Sequence, residues 1–379
     1  MLMDLPHERP PMWSTRKELE AALAQAGLGE WSPRLAAAAR QTMILTPGPV
    51  EEGADAPIGA SRLGGMPDLP PEAPWPWRPA ISGWTDDYTK PHAERPWPLS
   101  FVAQIDFAEI YSAGGLEGFP SSGRLLFFCD TVAWPLGWSS DDKSCASVMS
   151  VTEQTDRLGR RDLPVEFSNP GVGRLYRPKD FILRPRRVTK KLWLLPPPFN
   201  SCELLTLDGM PPPPGWWRTY PECWEEKTLE AYTQFWEDFD AEHPDSRNCH
   251  QVGGIAIPEA GPVEAACVKY ADDDYLNHPP EEEKAFRERR EKDGAPIDWP
   301  DYEEWSQTRD TFLARERASY FERAGNWQLV LQIASDSEIG CESAPSGPWG
   351  GEGLVYVCIR KTDLAEHRFD RCWTMWKCS

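Results

Sequence analysis

Two stretches decide the reading of this chain: Ser61-Arg62-Leu63-Gly64-Gly65-Met66 and His250-Gln251-Val252-Gly253-Gly254-Ile255. A Gly-Gly pair lets the backbone enter positive φ and turn tightly. Downstream of the first stretch lies Phe101-Val102-Ala103-Gln104-Ile105-Asp106, and downstream of the second lies Leu329-Val330-Leu331-Gln332-Ile333-Ala334. Each is followed by a glycine-led apolar run, Gly123 to Cys129 and Gly353 to Ile359. Gln104 precedes its glycine by 19 positions and Gln332 precedes its own by 21. Agreement in order and in spacing points to one β-rich unit present twice. The runs have strand length, with β-branched and aromatic content and turn residues at their ends.

The spaces between the strands read as helices. Thr15-Arg16-Lys17-Glu18 has capping-box form ahead of Leu19 and Leu23, with a stop near Gly27. Ser32-Pro33 opens a second helix, read through to about Arg40. Cys223 to Glu242 carries a broad apolar stripe, including Trp224, Tyr232, Phe235 and Phe239. Gly65 to Gln104 spans 39 positions but Gly254 to Gln332 spans 78, so the second copy carries an insertion. Further helices are read there at Glu281 to Lys292 and Tyr302 to Arg323. The expected architecture is α+β: an N-terminal helical segment over 1–45, then one compact duplicated domain over 46–379. Its first repeat spans about 60–200, its second about 250–379, and the helical insertion about 268–325.

Composition narrows the function classes. A formal charge of −20 over 379 residues disfavours generic binding to nucleic acid or anionic membranes. Apolar runs stay short of the roughly 20 residues a spanning helix needs, so no membrane span is expected. The start of the chain lacks the apolar core of a secretory signal, so a cytoplasmic location with reduced thiols is expected. No C-x-x-C occurs among the ten cysteines, and neither a metal nor any other cofactor is expected. Glu222 to Asp245 and Asp272 to Glu304 each carry a net −8, whereas Arg174 to Lys191 carries +7. Solvated acidic helices and a basic strand pairing with them explain this plainly, and a contact for an acidic partner or nucleic acid is the sharper alternative.

The motif residues also carry a resemblance. Ser61 to Pro67, Leu69-Pro70, Trp75-Pro76, LSFVAQIDFAEI from Leu99 and LEGFPSSGRLLFF from Leu116 form its first half. His250 to Gly254, LVLQIASD from Leu329, Trp349 to Gly353, Asp363-Leu364 and Trp373 to Ser379 form its second. With these the chain resembles the YwqG-like family, a bacterial domain of unknown function. The resemblance implies an α+β fold with a duplicated β-rich unit, and it implies no reaction. Some relatives lie in toxin–immunity neighbourhoods, which suggests partner binding. The tryptophan- and proline-rich stretch Trp75 to Trp97, the proline run Pro196 to Pro214 and the insertion before Trp327 depart from the usual pattern.

Candidate site residues follow from the repeat. Gln104 and Gln332 are amides inside apolar strands, where every donor and acceptor needs a partner, supplied by bonding between the repeats or, alternatively, by a ligand. Arg62 and Gln251 occupy matching places beside the Gly-Gly pairs. Asp106 and Asp336 end matching strands, as turn caps or as carboxylates paired across a cleft. Trp75, Trp77 and Trp349 lie beside proline or glycine and are core rings or a binding surface. There is no G-x-S-x-G, and the glycine pairs lack phosphate-loop spacing, so acyl transfer and nucleotide hydrolysis fit poorly. The first functional expectation is a non-enzymatic protein-binding module, with toxin neutralisation and a basic partner in view. The alternative is an enzyme or small-ligand protein using a cleft between the two repeats.

Overall fold

The computed structural model describes residues 13–49, 57–81, 90–131, 137, 140–168, 182–209, 220–221, 223–242, 250–259, 261–272, 288, 321–335 and 353–377. The expected helices within 281–323 lie almost wholly outside these residues, as do Asp336 and Trp349. The chain is a mixture of helices and a large antiparallel sheet that curls almost closed.

That sheet has ten strands. At its centre, β1 (Arg40–Pro47) pairs antiparallel with β10 (Arg186–Leu195). Outward from β10 come β2 (Arg62–Leu63), β6 (Ser100–Asp106), β7 (Arg124–Cys129) and β8 (Ala146–Val151). Outward from β1 come β11 (Gln251–Gly253), β12 (Trp327–Ala334), β13 (Leu354–Arg360) and β14 (Trp373–Lys377). Each arm therefore holds four strands in chain order, starting at a Gly-Gly motif. Outside the sheet, β3 (Asp68–Leu69) pairs with β9 (Gly159–Arg160), and β4 (Trp77–Arg78) with β5 (Trp97–Pro98).

Strand alternation explains the nearly continuous apolar runs. In β7, Leu125 and Phe127 face a core shared with Val355, Val357 and Phe369 of the other arm. Leu126 and Phe128 face a separate cluster with Leu69 and Phe101. In β13, Val355 and Val357 face the shared core, while Tyr356 and Cys358 pack under α7 (Val263–Cys267). Both faces of these strands are covered, so both sets of alternating positions are apolar. Phe107 stacks on Phe369 at 5.5 Å, a direct contact between the arms.

The N-terminal helices cover the outer face of the central pair. In α1 (Arg16–Leu23) the capping box is present: Thr15 accepts from Glu18 N, and Glu18 reaches back to the Thr15 N–H. The second helix, α2 (Ser32–Ala38), is shorter than the reading to Arg40. Arg40 instead opens β1, because Thr42 to Leu45 is hydrogen-bonded to β10 and flanked by β11. The acidic α6 (Glu226–Glu242) buries Tyr232, Phe235 and Phe239 against Trp13, Trp31 and Trp193, and its acids face outward. The basic stretch is described only from 182 on, where it becomes β10. There Lys190 meets Glu109 at 2.7 Å and Arg186 donates to the Pro47 carbonyl. These two partners lie on the helix that follows β6 and at the end of β1.

Candidate functional site

The motif residues serve the two Gly-Gly turns, and they do so in the same way. Gly64 and Gly65 have φ of +64° and +75°; Gly253 and Gly254 have +64° and +76°. Arg62 stands opposite Gln104 in the β2–β6 ladder, and Gln251 opposite Gln332 in the β11–β12 ladder. The Gln104 Oε1 accepts from the N–H of Asp68, three residues past Gly65, at 3.1 Å. The Gln332 Oε1 accepts from the N–H of Ile257, three residues past Gly254, at 2.9 Å. Arg62 donates to the carbonyl of Met66, and Gln251 Nε2 donates to that of Ile255, the residue directly after each glycine pair. The strand amide and its cross-strand neighbour thus tie down each turn, and all four side chains are buried.

The first turn adds charge. Arg62 donates to Asp68 at 2.7 Å, and Arg160 reaches the other carboxylate oxygen at 2.6 Å. Gly59 N–H and Gln104 Nε2 also donate to Asp68, at 2.7 and 3.0 Å. Burial by itself pushes the Asp68 carboxyl up, but the hydrogen bonds from Arg62 and Arg160 and the Arg62 charge outweigh it, leaving a pKa of about 2.

Asp106 caps α4 (Phe107–Ser112), accepting from Ala108 N at 2.8 Å, and pairs with Arg124 at 3.1 Å. That is the turn-and-cap role open to a strand-end aspartate. Trp75 is half-buried, donates to the Leu99 carbonyl at 2.9 Å and meets Phe128 edge-on. Trp77 is 46% exposed. The candidate residues are therefore dispersed: Arg62, Gln104 and Gly-Gly form one cluster, Gln251 and Gln332 another, and Asp106 a cap beside the first.

Between the outermost strands, β8 and β14, lies a cleft of about 690 Å³. One wall is Pro79–Ile81, following β4. A second is formed by Asp142–Ser144 and the first half of β8. The third, from the other arm, presents Asp370, Cys372 and Thr374. No backbone pairing joins β8 to β14 among the described residues. The cleft offers carboxylates, an ammonium group and hydroxyls beside the apolar Ile81 and Val148. No motif or spacing in the sequence marks these residues, which lie at and beside the last strands of the two arms.

Behind the cleft sits a second buried charge assembly. Asp130 accepts from Arg78 Nε, and His92 Nε2 lies 3.1 Å from both of its oxygens. Burial pushes the Asp130 carboxyl up, and the His92 and Arg78 contacts override that and hold it well below the usual carboxylate range.

A third group lies where α5 (Cys202–Leu205) meets α7 and the end of β14. Burial, followed by the charge of Glu203, pushes Glu264 up to about 8. Burial pulls Lys377, which donates to the Gly261 carbonyl at 3.1 Å, down to about 8. An acid raised this way keeps its proton in the fold while the unfolded chain loses it near 4.5, so stability falls as pH rises from about 5 to 8. The depressed Lys377 acts with the opposite sign and only above about 8. Glu264→Gln is expected to flatten the decline between pH 5 and 8 and to stabilise the protein at pH 8 by about 1–3 kcal/mol. Urea unfolding from pH 5 to 9 checks this, and an unchanged slope would sink it. Among the described residues no group of three or more His, Cys, Asp or Glu is placed to hold a metal ion. No described helix is long and apolar enough to cross a membrane.

A family model for a domain of unknown function, DUF1963, matches residues 61–378. The chain belongs to this family. The YwqG-like resemblance agrees with that membership. The match opens at Ser61, so the DUF1963 domain takes in both Gly-Gly turns, both sheet arms and the cleft, while β1 and the N-terminal helices precede it. No curated protein sequence matches the chain.

Proposed function

We propose that this DUF1963 protein binds a small polar ligand in the cleft between the β8 and β14 edges. The observation that carries the reading is the cleft itself: about 690 Å³, with walls from both arms of the sheet. That volume falls within the roughly 300–1,000 Å³ of ligand sites. Carboxylates on opposite walls, a lysine and several hydroxyls give it polar groups able to orient a ligand. The partner-binding alternative leans on exposed tryptophans, and Trp77 is the one exposed tryptophan ring among the described residues. The others described there pack in cores or are half-buried. The matched φ angles and side-chain bonds of the two Gly-Gly turns support, in addition, an origin of the two arms by duplication. On that view the cleft lies between the repeats.

The test is a thermal-shift screen of metabolites against the wild type and Ser147→Trp. Ser147 is half-buried and lines the cleft, so an indole there fills the site without entering a core. A ligand at a hundred times its Kd stabilises by roughly 2.7 kcal/mol, a shift of about 3 °C in Tm for a chain of 379 residues. The wild type should show it and the variant should not. An equal shift in both proteins would place the ligand elsewhere.

A further inference from the structure

We propose that Arg78, Asp130 and His92 are positioning residues that hold the two first-arm walls of the cleft together. The functional meaning of this rests on the cleft being the binding site. Arg78 is 1% exposed, and its guanidinium is spread over main-chain carbonyls as well as Asp130. It donates to Pro79 O at 2.9 Å, Ala93 O at 3.1 Å, Arg95 O at 2.7 Å and His92 O at 3.0 Å. Ile81 N donates to Ala93 O at 2.8 Å, so the wall Pro79–Ile81 is tied to α3 (Lys90–Ala93) directly at Ile81, and at Pro79 through Arg78. Asp130, at the end of β7, receives Arg78 on its side chain and donates its own N–H to Cys145 O at 2.9 Å. Cys145 joins the Asp142–Ser144 wall to β8. Ser100 and Thr131 bond at 2.8 Å beside it, fixing the same turn to β6.

One residue therefore links both walls: the Asp130 carboxylate holds Arg78 and the wall after it, and the Asp130 N–H holds Cys145 and the wall before it. A carboxylate only accepts, so His92 Nε2 is the donor in its contact with Asp130. The Nδ1 of the same ring is buried and has no hydrogen-bond partner among the described residues. Trp97 meets the ring edge-on at 4.7 Å. The polar anchor of the imidazole is thus Asp130 alone, and its evident task is to complete the coordination of that carboxylate.

Cys372 reports on the cleft directly. It lines the opposite wall, is 9% exposed, and burial raises its thiol pKa, so it should alkylate slowly while the walls are in place. Cys202 and Cys267 are buried in a different cluster under α7 and serve as internal controls. The experiment compares N-ethylmaleimide labelling, mapped by mass spectrometry, in the wild type, Asp130→Ala, His92→Ala and His92→Gln. In both alanine variants Cys372 should label about tenfold faster or more, with Cys202 and Cys267 unchanged. His92→Gln should stay near wild type, because its amide can still donate to Asp130. The His92 pair alone decides the matter if Asp130→Ala does not fold. Unchanged Cys372 labelling overturns the proposal, and so does a rise shared by all three thiols, which general loss of stability would produce. The labelling needs no ligand, so this proposal and the binding reading can fail independently.

Discussion

Gly64→Ala is expected to cost about 3 kcal/mol or more, from a left-handed backbone of roughly 1–2 kcal/mol plus a clash of roughly 1–3 kcal/mol. The left-handed part follows from φ of +64°. The clash follows from what a methyl group would meet: the carbonyl oxygen of Arg184 at 2.3 Å and that of Leu183 at 2.8 Å. Both obstacles are main chain, held in place because Gly65 N donates to Leu183 O at 2.9 Å and β10 begins just after them, at Arg186. A flexible side chain could swing aside; these carbonyls cannot move without shifting the β2–β10 ladder. In the second arm the crowded position is the second glycine of the pair: in Gly254→Ala the new carbon would lie 2.1 Å from Thr42 Oγ1 and 2.8 Å from Thr42 Cβ, at φ of +76°. It should be comparably harmful, since Thr42 lies in the central strand. Gly159→Ala is the control, with nothing within 4 Å of the added carbon. Denaturant midpoints of the three variants settle the point, and a Gly64→Ala midpoint equal to that of the control would show that the turn is not constrained as described.

These glycines also show how far the sequence could be read. The Gly-Gly pairs, the strand glutamines and the glycine-led runs were legible because turn chemistry and strand alternation act locally. The glutamines read equally as ligand contacts, since a buried amide in a strand looks alike whether it binds a ligand or a turn. Only the three-dimensional placement of Asp68 N and Ile257 N decides between them. The strand at Arg40–Pro47 was hidden by the alanine-rich helix running into it, and its pairing partners lie about 150 and 200 residues away in sequence. The cleft was hidden for a related reason. Its walls come from segments near 80, 143 and 372, each of ordinary composition, and no spacing rule connects them. The tryptophans mislead in the opposite sense: an aromatic-rich acidic chain suggests a contact surface, whereas Trp13, Trp31, Trp193 and Trp224 form a ring-on-ring core with α6.

Asp68→Ala is the second large effect, with an expected loss of about 3–5 kcal/mol, the usual result of removing one partner from a buried ion pair. Arg62 is 1% exposed and Asp68 is fully buried, so water cannot replace the lost acceptor without the turn opening. The substitution also strips acceptors from Arg160, from Gly59 N–H and from Gln104 Nε2. Gln104 still holds Ala60 O and Asp68 N, and Arg62 keeps the Met66 carbonyl, so the turn should loosen before it is lost. The pH dependence separates charge from packing. A carboxylate depressed to about 2 from 3.8 contributes stability that is complete above about 4 and disappears as pH falls through about 2. Asp68→Asn keeps the shape but has no such proton to take up. Its stability should fall less steeply between pH 4 and 2 than that of the wild type, while lying below it at pH 7. Parallel acid limbs in the two proteins would mean that Asp68 is held by its hydrogen-bond geometry and not by its charge. The second arm offers the comparison from within the same molecule: Ile257 stands where Asp68 does, and Gln251 where Arg62 does, so the pair at these two positions is neutral. Charge is thus an addition to a turn that neutral bonds already close, and a double variant Arg62→Gln, Asp68→Ile should recover part of what Asp68→Ala loses.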